Sequence, residues 1–211
     1  MPSHRIKFIV FDLEGTLFRS PGLNERFLQL AMQLLEEKKC VSAETARQLF
    51  ENGKNKLRTQ TGYDPPLTGV LINLGIKLGE WAAFNTKRLN PEEFIRSDLA
   101  LGQLLSGLSR TYHISVMTNL NEAQSRRILS ALGVDNYISR VFSPTAESQV
   151  KPSVTHLRQI LRILRARPGE CLMVGDRFHI DLRPATSLGM RIFLVGGPED
   201  LLGEAFREVL K

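Results

Sequence analysis

Apolar residues gather in five short runs with almost no polar alternate, at 6–11, 114–117, 138–142, 171–174 and 191–195. A strand with one wet face alternates apolar and polar positions. A strand covered on both faces does not, and such strands belong to parallel sheets. Between the later runs the period becomes helical. Asn121 can cap a helix over 122–132, with Gly133 just past its end. Pro152 or Ser153 opens another, whose Val154, Leu157, Ile160, Leu161 and Leu164 form one stripe. A shorter helix near 181–188 stops at Gly189, and a last one covers about 198–210. This alternation predicts an α/β fold: a doubly wound, mainly parallel sheet in a Rossmann-like core.

The first strand breaks the rhythm, because residues 19–98 read as helix throughout. Asn24 precedes a periodic segment with Phe27, Ala31, Leu34 and Leu35, and Ser42 can cap a second with Ala43, Ala46, Leu49 and Phe50. A third covers 67–78, weakened by Gly69 and Gly75, and Leu78, Trp81 and Phe84 share a helical spacing that marks them as core. Asn90-Pro91-Glu92-Glu93 has the marks of a helix start: a cap residue, a proline and early acids. Gly62-Tyr63-Asp64-Pro65-Pro66 reads as an irregular loop. Strands lie on both sides of this stretch. The expected organisation is therefore an α/β core of 1–18 and 99–211 with a helical cap, 19–98, inserted after strand one.

Composition adds exclusions. With 211 residues, 42% apolar and 24% charged, the chain is an ordinary globular one, neither disordered nor collagenous. Two cysteines, Cys40 and Cys171, exclude a disulfide framework and a multi-cysteine zinc module. Cys171 lies in an apolar run and reads as a buried thiol. No apolar stretch approaches the roughly 20 residues a membrane helix needs. Met1-Pro2-Ser3-His4 leads directly into the first strand, without the apolar region of a signal peptide. A cytoplasmic protein with reduced thiols and no membrane partner is expected. The net charge is +6, from 28 Lys+Arg against 22 Asp+Glu. The basic residues are scattered (Lys38-Lys39, Lys54/Lys56/Arg58, Arg126-Arg127, Arg162/Arg165/Arg167) and read as solvated helix faces and helix C-termini. They are not interleaved with aromatics, which disfavours nucleic acid as a partner.

Ligands of an open parallel sheet bind beyond the carboxyl ends of its strands. Strand one is followed there by Asp12-Leu13-Glu14-Gly15-Thr16, strand two by Thr118-Asn119, strand three at a distance by Lys151-Pro152, and strand four by Gly175-Asp176-Arg177-Phe178-His179-Ile180-Asp181. Clustered carboxylates repel one another. A divalent cation resolves the repulsion, and all-oxygen ligation suits Mg²⁺. The ammonium and the hydroxyl suit an anion beside the metal, such as a phosphate.

With these four ordered motifs the chain resembles the haloacid dehalogenase superfamily, in its phosphatase branch with a helical cap after strand one. The resemblance implies a role for each matching residue. Asp12 is the nucleophile that takes up the phosphoryl group. Glu14, where the family usually has a second aspartate, is general acid and base, and its main-chain carbonyl ligates Mg²⁺. Thr118 contacts the phosphoryl oxygens with Asn119 beside it, and Lys151 balances their charge. Asp176 is a direct metal ligand, and Asp181 supports the metal's waters. Gly15 allows close backbone approach to the phosphate. Tyr63 and Asp64 lie in the cap loop that selects substrate in similar proteins, with a solvated turn as the other reading. Arg177 either contacts phosphate or faces solvent.

Asp-x-Glu-Gly-Thr at 12–16 is also similar to the enolase-phosphatases. The acids at Glu14, Asp176 and Asp181 disfavour dehalogenation. Phosphonate hydrolysis would need a cap lysine, for which Lys54, Lys56, Lys77 and Lys87 are candidates in number only. His4, His113, His156 and His179 show no ligand spacing and read as surface or edge residues, with His179 alone inside a motif loop. The implied activity is Mg²⁺-dependent hydrolysis of a small phosphorylated metabolite through an aspartyl-phosphate. The alternatives are a phosphotransferase or mutase of the same fold, and a phospho-ligand-binding regulatory protein with little turnover.

Overall fold

A computed structural model of the chain describes residues 5–211, so His4 and the start of the N-terminal segment lie outside the described residues. Five strands form one sheet: β1 (Phe8–Phe11), β2 (His113–Met117), β3 (Arg140–Phe142), β4 (Cys171–Gly175) and β5 (Arg191–Leu194). Their order is β3-β2-β1-β4-β5, and each neighbouring pair is parallel. Phe11 is level with Val116 of β2 and Val174 of β4. The residues that follow these three strands therefore emerge side by side at one sheet edge.

Between β1 and β2 run α1 (Pro21–Lys39), α2 (Ala43–Thr61), α3 (Leu67–Asn73), α4 (Leu78–Arg88) and α5 (Leu99–Ser109). The later helices are α6 (Glu122–Leu132), α7 (Val154–Leu164), α8 (Arg183–Ser187) and α9 (Glu204–Val209). Successive strand residues point to opposite faces. Ile9, Phe11, Ile114, Val116, Leu172 and Val174 pack with Leu101 and Leu105 of α5, Ile128 and Leu129 of α6 and Phe206 of α9. Val10, Met117, Cys171 and Met173 pack on the other side with Leu157 and Ile160 of α7 and Ala185 of α8. Both faces are apolar because both carry a helical layer. The cover is complete over β4, leaves only Phe8 of β1 half-buried, and fails at the edge, where Leu194 of β5 is 54% exposed. No helix among the described residues is long and apolar enough to cross a membrane.

Helix boundaries differ from the sequence reading in four places. The first helix begins at Pro21, not after Asn24, because Ser20 caps it by accepting from the Leu23 N–H at 3.3 Å. The third helix, expected over 67–78, stops at Asn73: the chain leaves it through Gly75, whose φ of +84° breaks the helical course, and α4 begins only at Leu78. Asn90-Pro91-Glu92-Glu93 starts only a single 3₁₀ turn. Its polar groups serve Arg127 of α6 instead, which donates to both carboxylate oxygens of Glu92 at 2.8 and 2.6 Å and to Asn90 Oδ1 at 3.1 Å. The final helix is interrupted at Gly203, where the backbone turns extended. Before α8 the chain makes a wide π turn over Phe178–Leu182. Pro184 has no N–H with which to continue a regular ladder into that turn.

Phe206 is fully buried and packs its ring against Phe193 at 5.2 Å and Phe11 at 6.1 Å between centroids. Phe206→Ala is expected to lower unfolding free energy by about 3–5 kcal/mol. Urea denaturation checks this, and a loss below about 1 kcal/mol would show that α9 does not hold the sheet.

Candidate active site

Asp12 is the first residue past β1 and is 7% exposed. The Lys151 ammonium, 4% exposed, donates to Asp12 Oδ1 and, at 2.7 Å, to Asp181 Oδ1. The Thr16 hydroxyl donates to Asp12 Oδ2 at 3.3 Å, and the Arg177 main-chain N–H donates to Asp181 Oδ2 at 3.2 Å. Lys151 is placed by Asn119, just past β2. The Asn119 side chain accepts from the Lys151 N–H at 2.7 Å and donates to the Lys151 carbonyl at 3.5 Å.

Two glycines let these acids converge. Gly15 has φ +87°, and a Cβ there would meet Asp176 Oδ2 at 2.2 Å. A Cβ on Gly175 would lie 2.6 Å from Asp181 Cβ. One oxygen each of Asp12, Asp176 and Asp181 lies within 4.8 Å of the others.

At such distances each pair of carboxylates repels by about 4 kcal/mol at an effective dielectric constant of 20, and a single ammonium offsets only part of that. The pKa values reflect burial first and this crowding second. Burial opposes the charge on Lys151, but Asp12 and Asp181 outweigh it and hold the ammonium protonated well above the usual lysine range. Burial raises Asp12 above the ordinary carboxylate range against the pull of Lys151, and Asp181 and Asp176 add to the rise. Burial also raises Asp176, with Asp181 as the next cause. Glu14 is pushed up to about 7, mainly by burial, although a hydrogen bond from Asn24 pulls the other way. A carboxyl that titrates there can give and take a proton at neutral pH.

Asp176 Oδ1 and Glu14 Oε1 are buried without a hydrogen-bond partner. Unsatisfied oxygens beside three converging carboxylates fit a hard divalent cation such as Mg²⁺. The acids open onto a cavity of about 350 Å³, lined on this side by Asp12, Glu14, Thr118, Asn119, Lys151, Asp176, Arg177 and Asp181. Thr118 is buried, and its hydroxyl accepts from the Leu120 N–H at 3.2 Å.

The model of the haloacid dehalogenase-like hydrolases matches residues 6–189. The chain belongs to this family. Among curated relatives, it is 22% identical over 202 residues to N-acylneuraminate-9-phosphatase of Mus musculus, covering 89% of this chain and 81% of that protein. It is 24% identical over 196 residues to glyceraldehyde 3-phosphate phosphatase of Methanothermobacter thermautotrophicus, covering 90% and 85%. Of solved structures, a haloacid dehalogenase-like hydrolase from Streptococcus pneumoniae superposes with a TM-score of 0.61 at 18% identity, over 96% of this chain and 91% of that one. The phosphatase from Thermococcus onnurineus gives 0.56 at 22% identity, over 90% and 86%. The fold is shared with these structures, and the relatives matched over most of their length are phosphatases.

Among this hydrolase's residues singled out from sequence, Tyr63, Asp64 and Gly15 do not line the cavity. Gly15 acts one step back, through the space it leaves for Asp176. Tyr63 stacks on His179, with centroids 5.5 Å apart and planes 9° from parallel. The Arg177 guanidinium donates to the Asp64 carbonyl. The loop thus ties the inserted helices to the segment after β4, while its neighbours Pro65, Pro66 and Thr68 form the wall.

The histidine expectation fails at His156. It is buried, with Nδ1 3.0 Å from the Gln149 carbonyl and its pKa lowered by burial. His113 and His179 are exposed as read. The buried thiol expected at Cys171 is present, pushed up to about 12 by burial.

From sequence, Asn24 reads only as the residue before a helix, and Lys54 only as a scattered cation and one of four cap lysines in number. The Ser20-Pro21 pair, a cap residue followed by proline, places the helix start far enough back to put Asn24 in the first turn beside Glu14. Lys54 was grouped with solvated cations, yet it lines the cavity. Trp81 is core as expected, at 2% exposure, and forms part of the wall as well.

Gly15→Ala is expected to fold but to lose about 1–3 kcal/mol of stability, from the strained φ and the displaced Asp176 carboxylate. Chemical denaturation measures it. Unchanged stability would mean that Asp176 moves aside freely.

Proposed function

We propose that this hydrolase is a Mg²⁺-dependent phosphatase of a small phosphomonoester, acting in the cytoplasm, with residues 19–98 as a cap over the site. The observation that carries the reading is the buried Asp12 carboxylate at the base of the cavity. Lys151 holds it in place, and a second carboxyl, Glu14, stands two residues on with an unsatisfied oxygen. The phosphatases of N-acylneuraminate 9-phosphate and glyceraldehyde 3-phosphate among its relatives support a small phosphorylated metabolite as substrate.

Asp12 attacks phosphorus, and the bond from phosphorus to the ester oxygen breaks as Glu14 delivers a proton to that oxygen. The alcohol leaves and Asp12 holds the phosphoryl group. Glu14, now ionised, removes a proton from the water that attacks the aspartyl-phosphate. Inorganic phosphate departs and both carboxyls return to their starting states. Dividing one displacement into two makes each easier. Lys151 faces the phosphoryl oxygens throughout, with Thr118 and Asn119 beside them. Asp12, Asp176 and Asp181, with the Glu14 main-chain carbonyl, would hold Mg²⁺, which when bound supplies positive charge opposite the phosphoryl oxygens. The inserted helices exclude bulk water between the steps.

The protein should hydrolyse p-nitrophenyl phosphate in Mg²⁺, lose that activity to excess chelator, and lose it equally in Asp12→Asn, which is nearly isosteric but cannot attack phosphorus. Full activity in chelator, or a substantial residue in Asp12→Asn, would overturn the metal or the covalent step respectively.

Glu14→Gln separates the two half-reactions. Nitrophenolate leaves without a proton, so the first step survives. Water attack still needs its base and should slow by roughly 10²- to 10⁴-fold. Rapid quench should then show a burst of about one nitrophenol per enzyme, with phosphate retained on Asp12. Near-normal steady turnover would show that Glu14 is not the proton carrier.

A further inference from the structure

We propose that the cavity selects a phosphomonoester whose alcohol portion is apolar or aromatic and carries a second anionic group, and that Lys54 is the residue that recognises it. This rests on the phosphatase reading and names the substrate class.

The wall that the inserted helices contribute to the cavity comes from α1, α2, α3 and α4. Phe27, Phe50, Val70 and Trp81 line it, all buried. Phe27 and Trp81 pack together with centroids 6.3 Å apart, so the wall is preformed. An apolar or planar body fills such a wall well. A polyhydroxylated sugar does not, since each hydroxyl facing these rings would give up a water partner and gain none. Of the polar side chains nearby, Asn24 is already engaged with Glu14, which leaves the Thr68 hydroxyl and Lys54.

Lys54 stands out on this wall. It lies on α2, is half-buried, and lines the cavity. Three other cations of these helices have carboxylate partners, Lys38 with Glu80 at 2.5 Å, Arg88 with Glu37 at 3.6 Å and Arg58 with Asp64 at 3.7 Å, and of the inserted helices' cations Lys54 is the one that lines this cavity. Among the described residues Lys54 has no ion pair. Of the other cations lining the cavity, Lys151 is committed to Asp12 and Asp181, and the Arg177 guanidinium donates to the Asp64 carbonyl and acts on Glu14. An ammonium without an ion pair on a mostly apolar wall fits a carboxylate or a second phosphate on the substrate's alcohol portion.

The test compares phenyl phosphate, 4-carboxyphenyl phosphate and glucose 6-phosphate with the Mg²⁺-loaded enzyme, reading kcat/KM from released phosphate. The carboxylated ester should be preferred over phenyl phosphate by roughly 10- to 100-fold, as expected for a partly desolvated charged hydrogen bond. Glucose 6-phosphate should be the poorest of the three. The para carboxylate also alters the leaving group slightly, so the decisive reading is the change of the ratio between wild type and variants. Lys54→Met should bring the ratio near one, mostly through KM, because this contact is made equally in ground and transition states. Lys54→Glu should invert the ratio, and Lys54→Arg should keep it. Equal losses on both aryl esters in Lys54→Met, or no carboxylate preference in the wild type, would overturn the inference while leaving the phosphatase reading intact. Hydrolysis of none of the three would overturn that reading, and this inference with it.

Discussion

One buried ammonium carries the charge balance of this molecule. Lys151 binds Asp12, which ends the central strand, and Asp181, which follows its neighbour β4. Removing one partner from a buried ion pair leaves an uncompensated charge and costs about 3–5 kcal/mol. The arrangement is therefore as much a constraint on the fold as a feature of the site. It ties together strand ends that are close only because β1 and β4 are parallel and in register. Through Asn119 it draws in β2 as well. Gly15 and Gly175 belong to the same constraint, since a Cβ at either would occupy the space of an aspartate.

The balance is incomplete by design of the residues themselves. Asp12, Asp176 and Asp181 crowd one point and Glu14 stands close by, with only Lys151 fully committed against them. Burial first and the neighbouring carboxylates second raise the carboxyl pKa values, and oxygens are left unpaired, which is the environment a hard cation and a phosphoryl group would share. A cluster that favoured stability alone would be neutralised by hydrogen bonds. This one is held short of that state by a rigid sheet on one side and by glycines that admit no shielding side chain.

The inserted helices complete the site by shape more than by charge. Their buried residues, among them Phe27, Leu30, Phe50 and Trp81, belong to the same apolar cluster as one face of the sheet. The ceiling of the cavity is thus continuous with the core beneath it. The Tyr63–His179 stack and the Arg177–Asp64 contact close the seam at the loop after β4. The floor of the cavity is polar and charged, whereas the inserted helices contribute mostly apolar side chains with Lys54 among them.

Legibility from sequence followed the range of the interaction concerned. The α/β class, the strands and the acids after β1 and β4 were readable because each depends on local periodicity or on position relative to a strand end. That information is carried by neighbouring residues. Helix boundaries failed where a long-range partner claimed the local signal, as Arg127 did with Asn90 and Glu92. His156 was misread because burial depends on what packs over a helix, not on the helix alone. The roles of Tyr63, Asp64 and Lys54 lay furthest from view. Whether a loop residue faces a cavity or pins its rim, and whether a lysine meets water or a ligand, depends on how the inserted helices sit on the sheet. Strand and helix periods, caps and the order of acidic motifs are properties of the chain by itself. Convergence of the acids, the unpaired oxygens and the choice of wall residues arise only when distant segments are brought to within a few ångströms. Only at that range do charge repulsion and packing take effect.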